Sequence, residues 1–319
     1  NAVDEGDLSV DGNVYPAVGL RESLHQAGAY VKTLDPSPHR GIGIASGKWM
    51  NAVGASGVIL LLNEDGSASL TTGAVDLTGV NTALAQVVAE DLTIPLEKVH
   101  VKTRGTDAAP YVAVSGGSRT TYGMSLATRD AVQNLSEELR QFAAEQMEAA
   151  PEDLELVDGN VRPRDGSQAG IPIAELARLA TLSVRGPFSV TGAVSNPTWL
   201  VDSHIFITQV AEVDVDTDTG QITVLRISSF QDVGFALNPL LVEGQIEGGI
   251  VQGLGWGLME GLVFDRGTVM NDSFLEYRIP TALDAPELNP VPIQVPSPGG
   301  PYGIKGVGEP SMVATPAGL

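Results

Sequence analysis

Short apolar runs bounded by turn residues occupy two parts of the chain, and each is followed by a stretch with helical spacing. Gly57-Val-Ile-Leu-Leu-Leu-Asn63 and Ser67-Ala-Ser-Leu-Thr-Thr72 flank Glu64-Asp-Gly66, which predicts a hairpin. Gln209-Val-Ala-Glu-Val-Asp-Val215 and Gln221-Ile-Thr-Val-Leu-Arg-Ile-Ser228 flank Asp216-Thr-Asp-Thr-Gly220 and predict a second. The same order occurring twice predicts an α+β fold of two related lobes, each a mixed β-sheet with packed helices, divided near Ser183–Asn196. Residues 1–40 are expected to form a lead-in and linking helix, with the helix around Leu20–Lys32 and a break at Asp35-Pro-Ser-Pro38. The first lobe is expected over 41–190 and the second over 191–319.

A recurring device is a loop that delivers its backbone to a helix start. Gly73–Thr82 precedes a helix expected over Ala83–Leu92, with Asn81 or Thr82 as N-cap. Ser115-Gly-Gly-Ser-Arg-Thr-Thr121 precedes a long helix running to about Met147, and Asn238–Gly249 leads into a third. Helix N-termini present free N–H groups and a positive dipole end, which suit an anion. With Arg119 and Lys305 they suggest an anionic ligand held largely by backbone; loops that only turn corners are the alternative. In the third helix Gly249, Gly253, Gly257 and Gly261 share one face. Close helix–helix packing is the favoured reason, ahead of ligand contact. Phe188, Tyr111 and Trp256 are read as core aromatics rather than pocket lining.

Composition narrows the chemistry. The chain has 319 residues, 43% of them hydrophobic, and a formal net charge of −21. Such a surface repels nucleic acid and anionic membrane. No segment has transmembrane or signal-peptide character, and the cytoplasm is the expected compartment. The absence of cysteine excludes disulfides, a protein-bound iron–sulfur cluster and thiolate catalysis within these residues. His25, His39, His100 and His204 are far apart in sequence, so a histidine-held metal is not expected. Gly43–Trp49 lacks Walker A spacing, and no Gly-x-Gly-x-x-Gly follows a strand in a βαβ unit.

The most informative stretch is the tail Gly299-Gly-Pro-Tyr-Gly-Ile-Lys-Gly-Val-Gly-Glu-Pro310. So many glycines predict a loop whose backbone comes close to something. Glu309, next to the stiffening Pro310, is a candidate general base; an ordinary solvated turn is the alternative.

Several ordered motifs resemble one family. Ser115-Gly-Gly-Ser-Arg119, Asp232-Val-Gly234 with Asn238-Pro239, Gly244-Gln245-Ile-Glu-Gly248, Gln252-Gly-Leu-Gly255, Tyr277-Arg-Ile-Pro280 and Gly300–Glu309 are similar to the C-terminal half of the molybdopterin-binding large subunit of xanthine dehydrogenase/aldehyde oxidase-type molybdenum hydroxylases. The resemblance runs over nearly the whole chain. It implies a molybdopterin-dependent oxidoreductase subunit that hydroxylates an electron-poor carbon of an N-heterocycle or aldehyde, with Glu309 as general base. It implies cofactor contacts at Gln245, Gly116, Gly117, Ser118, Arg119, Gly308 and Lys305. Thr78 stands where the family commonly has glutamine. Molybdenum would be held by the pterin dithiolene, in plain or cytosine dinucleotide form, with no direct protein ligand. Iron–sulfur clusters and FAD are implied on partner chains. The implied partners are an N-terminal-half molybdopterin subunit, a 2Fe-2S subunit and an FAD subunit, joined by a small-molecule substrate. The chain is implied to be one part of a split or cleaved large subunit. Two rival readings stay open: a non-catalytic structural or pterin-carrier subunit, and a sugar- or nucleotide-phosphate binding module.

Overall fold

The computed structural model describes all residues except 1, 11, 35–36, 78 and 195–200, and omits the side chains of 201–203. The helices are α1 (Leu20–Val31), α2 (Val80–Asp91), α3 (Thr120–Met147), α4 (Ile173–Thr181), α5 (Pro239–Leu258) and α6 (Pro310–Gly318). The strands of the first part are β1 (Arg40–Asn51), β2 (Ser56–Leu62), β3 (Ala68–Thr72) and β4 (Val99–Thr103). Short strands follow at β5 (Leu154–Val157), β6 (Asn160–Pro163) and β7 (Ile171–Pro172), then β8 (Ser189–Val194). The later strands are β9 (Val201–Val215), β10 (Ile222–Asp232), β11 (Phe264–Asp265), β12 (Thr268–Val269) and β13 (Glu287–Ile293).

The chain divides into two compact units, each with a four-stranded sheet. One unit joins residues 1–51 to 200–319; the other is 52–199. This differs from the expected 41–190 and 191–319 at the early edge. Residues 41–51 lie in β1, which pairs antiparallel with β9 from Arg40↔Asp214 to Trp49↔Ile205. Residues 1–40 are likewise more than a lead-in. Ala27 of α1 joins Val210, Phe230 and Ile293 in one buried cluster.

In the first unit the sheet order is β1-β9-β10-β13, and β13 runs parallel to β10. Pro290 and Pro292 lack a ladder N–H, and β13 lies at the sheet edge, where that loss is tolerated. Side chains alternate across the central strands. Val210 and Phe230 pack toward α1, while Gln209, Ser229 and Gln231 face the other way, toward α6. Helix α5 packs on α6 through the glycine face expected from the sequence. A Cβ at Gly253 would lie 2.7 Å from the Met312 carbonyl oxygen, and one at Gly249 would lie 2.8 Å from Ser311 Cβ. Close packing is therefore the reason for that face. Gly261 lies beyond the end of α5, and a Cβ there would meet open space.

The second unit has sheet order β4-β3-β2-β8, with α2 and α3 packed on it. Val58, Leu60 and Leu62 bury one face of β2 against a core that includes Leu84, Val88, Met124, Leu135 and Leu139. The expected hairpin joins β2 to β3. Phe188 is core, as expected, with the Arg185 guanidinium 3.7 Å from its ring centroid. Tyr111 and Trp256 are exposed instead, so they are not core aromatics.

Candidate functional site

The glycine-rich tail enters α6 along a path fixed by the first unit's sheet. Lys305 N–H donates to the Val233 carbonyl and Phe235 N–H to the Gly303 carbonyl. Gly306 N–H donates to Asn51 Oδ1 at 3.1 Å. Glu309 then occupies the N-cap position of α6, with Pro310 at the first helical residue. Proline there stiffens the entry without losing a helical hydrogen bond. The Glu309 side chain does not cap the helix.

Gln245 was expected in a loop. It lies instead in the second turn of α5, because that helix begins at Pro239 and Asn238 accepts the Leu241 N–H at 3.2 Å as N-cap. The half-buried Gln245 side chain reaches over the tail. Its Oε1 lies 2.8 Å from where a Cβ on Gly308 would stand, so a larger residue at 308 would displace it. Gln245, Gly308 and Glu309 are thus brought together. Among the described residues the Gln245 amide makes no hydrogen bond.

Lys305 does not join them. Its Nζ donates to Asp232 Oδ2 at 2.7 Å, the Ala17 carbonyl at 3.2 Å and the His204 carbonyl at 3.3 Å. An ammonium has three protons, and all three are committed inside the unit, so none is left for an anionic ligand. The pair is fully buried. Burial pushes the Asp232 carboxyl up from its ordinary range, against the pull of Lys305, and burial likewise pushes the Lys305 ammonium down. Asp232 also accepts N–H groups from Gly19 and Gly234.

In the second unit Gly116, Gly117, Ser118 and Arg119 form one tight turn into α3. Gly117 has φ 75° and Ser118 φ 55°, both left-handed, a conformation glycine adopts at little cost. No side chain caps α3. A Cβ at Gly116 would meet open space, so this backbone can be approached closely. The expected role of Arg119 changes. It is buried, and its Nε donates to the Val114 carbonyl at 3.1 Å, closing the loop on itself.

The first expected helix start is different as well. Helix α2 begins at Val80 after a left-handed Gly79, rather than at Asn81 or Thr82. Asn81 N–H donates to Asp76 Oδ1. Thr78 lies outside the described residues.

Sequence reasoning missed Asn51 and gave no role to Gln231. Asn51 is fully buried, and among the described residues its Nδ2 has no partner although its Oδ1 holds Gly306. That leaves a buried donor beside the glycine tail, whose satisfaction by a bound polar group would be favourable. The one signal for Gln231 was Gln231-Asp232 itself, two polar residues closing a mostly apolar strand. In the first unit the unused Gln245 amide and the Asn51 Nδ2 donor fit a polar heterocyclic ligand; taken by itself, the uncapped glycine turn of the second unit suits an anionic group. Among the described residues no three His, Asp or Glu side chains cluster as metal ligands. A metal brought in by its own organic ligand is compatible with that arrangement.

An α+β unit with amide donors at a glycine tail is suited to hold a polar ligand. The chain matches the molybdopterin cofactor-binding domain family over residues 16–286, and it belongs to that family. It is similar to the xanthine dehydrogenase molybdenum-binding subunit of Escherichia coli O157:H7, 30% identical over 100% of this chain and 45% of that protein. It is also similar to the nicotine 6-hydroxylase large subunit of Paenarthrobacter nicotinovorans, 28% identical over 99% of this chain and 41% of that protein. Among solved structures, quinoline 2-oxidoreductase from Pseudomonas putida 86 superposes with a TM-score of 0.83 at 26% identity, over 98% of this chain and 43% of that one. The chain spans about half the length of the curated relatives it matches.

Proposed function

We propose that this chain supplies part of the cofactor-binding and catalytic wall of a molybdenum hydroxylase, with Glu309 as general base. The observation that carries the reading is the setting of Glu309. It is a carboxylate at a fixed helix entry, beside a glycine and an unused amide. When bound, molybdopterin would supply the metal, its sulfur ligands and the redox chemistry. The chain's own contribution is to hold and to move a proton. Gln245 and Asn51 would donate to the cofactor's polar edge, and in the second unit, taken by itself, Gly116 and Gly117 leave a backbone that an anionic group could approach. Glu309 would take the proton from the attacking oxygen, which needs an unprotonated carboxylate within hydrogen-bond reach. The pterin is proposed in plain or cytosine dinucleotide form.

The names of the relatives include xanthine dehydrogenase, nicotine 6-hydroxylase and quinoline 2-oxidoreductase, so an N-heterocycle is proposed as substrate class beside an aldehyde. The iron–sulfur and FAD centres are proposed on partner subunits, because the sequence contains no cysteine to ligate a cluster. An N-terminal-half molybdopterin subunit is proposed against residues 256–283. There Trp256, Phe264, Phe274, Leu275 and Leu283 are all exposed, an apolar patch of the sort that marks an interface. The proposed compartment is the cytoplasm. The test is molybdenum and pterin analysis of the complex purified from its host, with dye reduction by xanthine, nicotine, quinoline and benzaldehyde. Turnover of one of these by a molybdenum-loaded complex is expected. A pure complex without pterin in its denatured extract would sink the reading.

A further inference from the structure

The polar face of the first unit's sheet carries a device that bears on Glu309. Gln231, at the end of β10, is fully buried. Its Nε2 donates to the Val307 carbonyl at 3.0 Å, and its Oε1 accepts from Ser311 Oγ at 2.7 Å. One amide therefore holds the backbone two residues before Glu309 and the side chain two residues after it. A second buried amide extends the grip. Gln209 Nε2 donates to the Ser311 carbonyl at 2.9 Å, and its Oε1 accepts from Thr315 Oγ1 at 2.7 Å.

Packing alone would favour aliphatic residues at these positions, as on the opposite face, where Val210 and Phe230 meet α1. Burying amides is unfavourable unless their hydrogen bonds are made. Here both ends of both amides are engaged. A fully satisfied network of this kind rigidifies what it touches. What it touches is the first turn of α6 and the residues flanking the carboxylate.

We propose that Gln231 is a positioning residue for Glu309, clamping residues 307 and 311 so that the carboxylate is held in one geometry. The proposal rests on the reading of Glu309 as the base. A clamp acts on where the base sits and not on whether it can ionise. A displacement of about 1 Å can cost about 10²-fold in rate.

The test uses the molybdenum-loaded complex and the variant Gln231→Leu, which keeps side-chain bulk and removes both hydrogen bonds. Amide hydrogen exchange over residues 303–312 is expected to accelerate at least about tenfold, the opening of a local segment rather than of the whole unit. Molybdenum content is expected to stay near wild type, and the melting temperature to fall by a few degrees, because the Val307 carbonyl and the Ser311 hydroxyl lose their partner. With whichever of xanthine, nicotine, quinoline or benzaldehyde the wild type turns over, kcat is expected to fall about 10²-fold with KM changed little. The acidic limb of the pH profile should remain, since the carboxylate is still present. Unchanged exchange in 303–312 overturns the clamp whatever the activity, and so does a lost acidic limb. Should Gln231→Leu not accumulate, Ser311→Ala decides, because it removes the hydroxyl held by Gln231 without adding bulk; unchanged exchange over 303–312 in that variant overturns the proposal. The base reading fails separately, through full turnover in Glu309→Gln, an outcome that leaves the exchange measurements to judge the clamp.

Discussion

Two glycine-rich loops run into helix starts in this protein, and they are held by opposite means. The tail that enters α6 is pinned by side chains. Asn51 holds residue 306, Gln231 holds 307 and 311, and the buried Asp232–Lys305 pair holds 305. The turn that enters α3 is held by its own backbone conformation, through left-handed Gly117 and Ser118, and closed by Arg119 on Val114. The difference follows from what each loop offers. A loop that presents a reacting carboxylate must fix a side chain, which needs external anchors. A loop that presents N–H groups fixes them chiefly by its φ and ψ angles. Mutations should therefore separate the two: chemistry and stability within the first, ligand retention at the second and at the Gln245 amide that lies over the first.

The largest effect is expected at Glu309. Glu309→Gln keeps the size of the side chain and removes its basicity. Turnover should fall about 10²–10⁴-fold with molybdenum content near normal, as read by dye reduction and metal analysis of the same preparation. Ser118→Ala, in the other loop, should change turnover by less than about tenfold. A Glu309→Gln complex with full turnover would erase the contrast between the loops.

Next comes the buried ion pair. Lys305→Met leaves Asp232 buried without its cation and should cost about 3–5 kcal/mol. Replacing both members, Asp232→Leu with Lys305→Met, should recover much of that loss. Chemical denaturation of each variant measures it. The sign with pH is defined. Burial already raises the Asp232 pKa in the folded state, and removing Lys305 removes an interaction that lowers it. A carboxyl whose folded pKa lies above its unfolded one destabilises the fold increasingly as pH rises from the unfolded pKa of about 3.9 toward the folded one. Lys305→Met should thus be closest to wild type in acid and furthest from it at neutral pH. The opposite trend would mean that the pair does not anchor the tail.

The sequence carried the local parts of this architecture and little of the long-range parts. Both hairpins were legible because Glu64-Asp-Gly66 and Asp216–Gly220 are turn sequences between strand-forming runs. The glycine face of α5 was legible from its spacing. Strand β1 was not, since Gly41, Gly43 and Gly47 dilute its pattern and its partner β9 lies more than 150 residues away. Strand β13 was hidden by its prolines, which only its edge position permits. Within the site, Glu309 and the 116–119 turn stood out by residue type and by glycine content, and Gln245 only through the family resemblance. The destination of Lys305 did not, because a cation among glycines looks alike whether it faces a ligand or a buried carboxylate 73 residues away.

Smaller effects test the packing that supports the first loop. Gly253→Val would drive its side chain into Thr315 and the Met312 carbonyl of α6. Overpacking of this kind costs about 1–3 kcal/mol, visible as a lowered melting temperature. Gly261→Val, past the end of α5 in open space, should be close to neutral. Equal losses at 253 and 261 would mean that α5 and α6 are not in close contact.

The smallest expected change in stability is the most discriminating. Gln245→Ala removes an amide that makes no hydrogen bond among the described residues, so the fold should lose only a few tenths of a kcal/mol, as for a substitution away from any buried network. Bound pterin should fall well below wild type, because a donor to the cofactor is gone. Gly116→Ala offers the matching experiment in the other loop. Its Cβ meets no protein atom within 4 Å, so stability should hold while a group approaching that backbone is obstructed. Gly117→Ala differs from it by the positive φ, and strain should cost about 1–2 kcal/mol in addition. Thermal unfolding and pterin content, measured on the three variants side by side, separate strain from ligand contact. Full pterin retention in both Gln245→Ala and Gly116→Ala would reduce the two loops to structural corners and leave Glu309 without the neighbour its proposed chemistry needs.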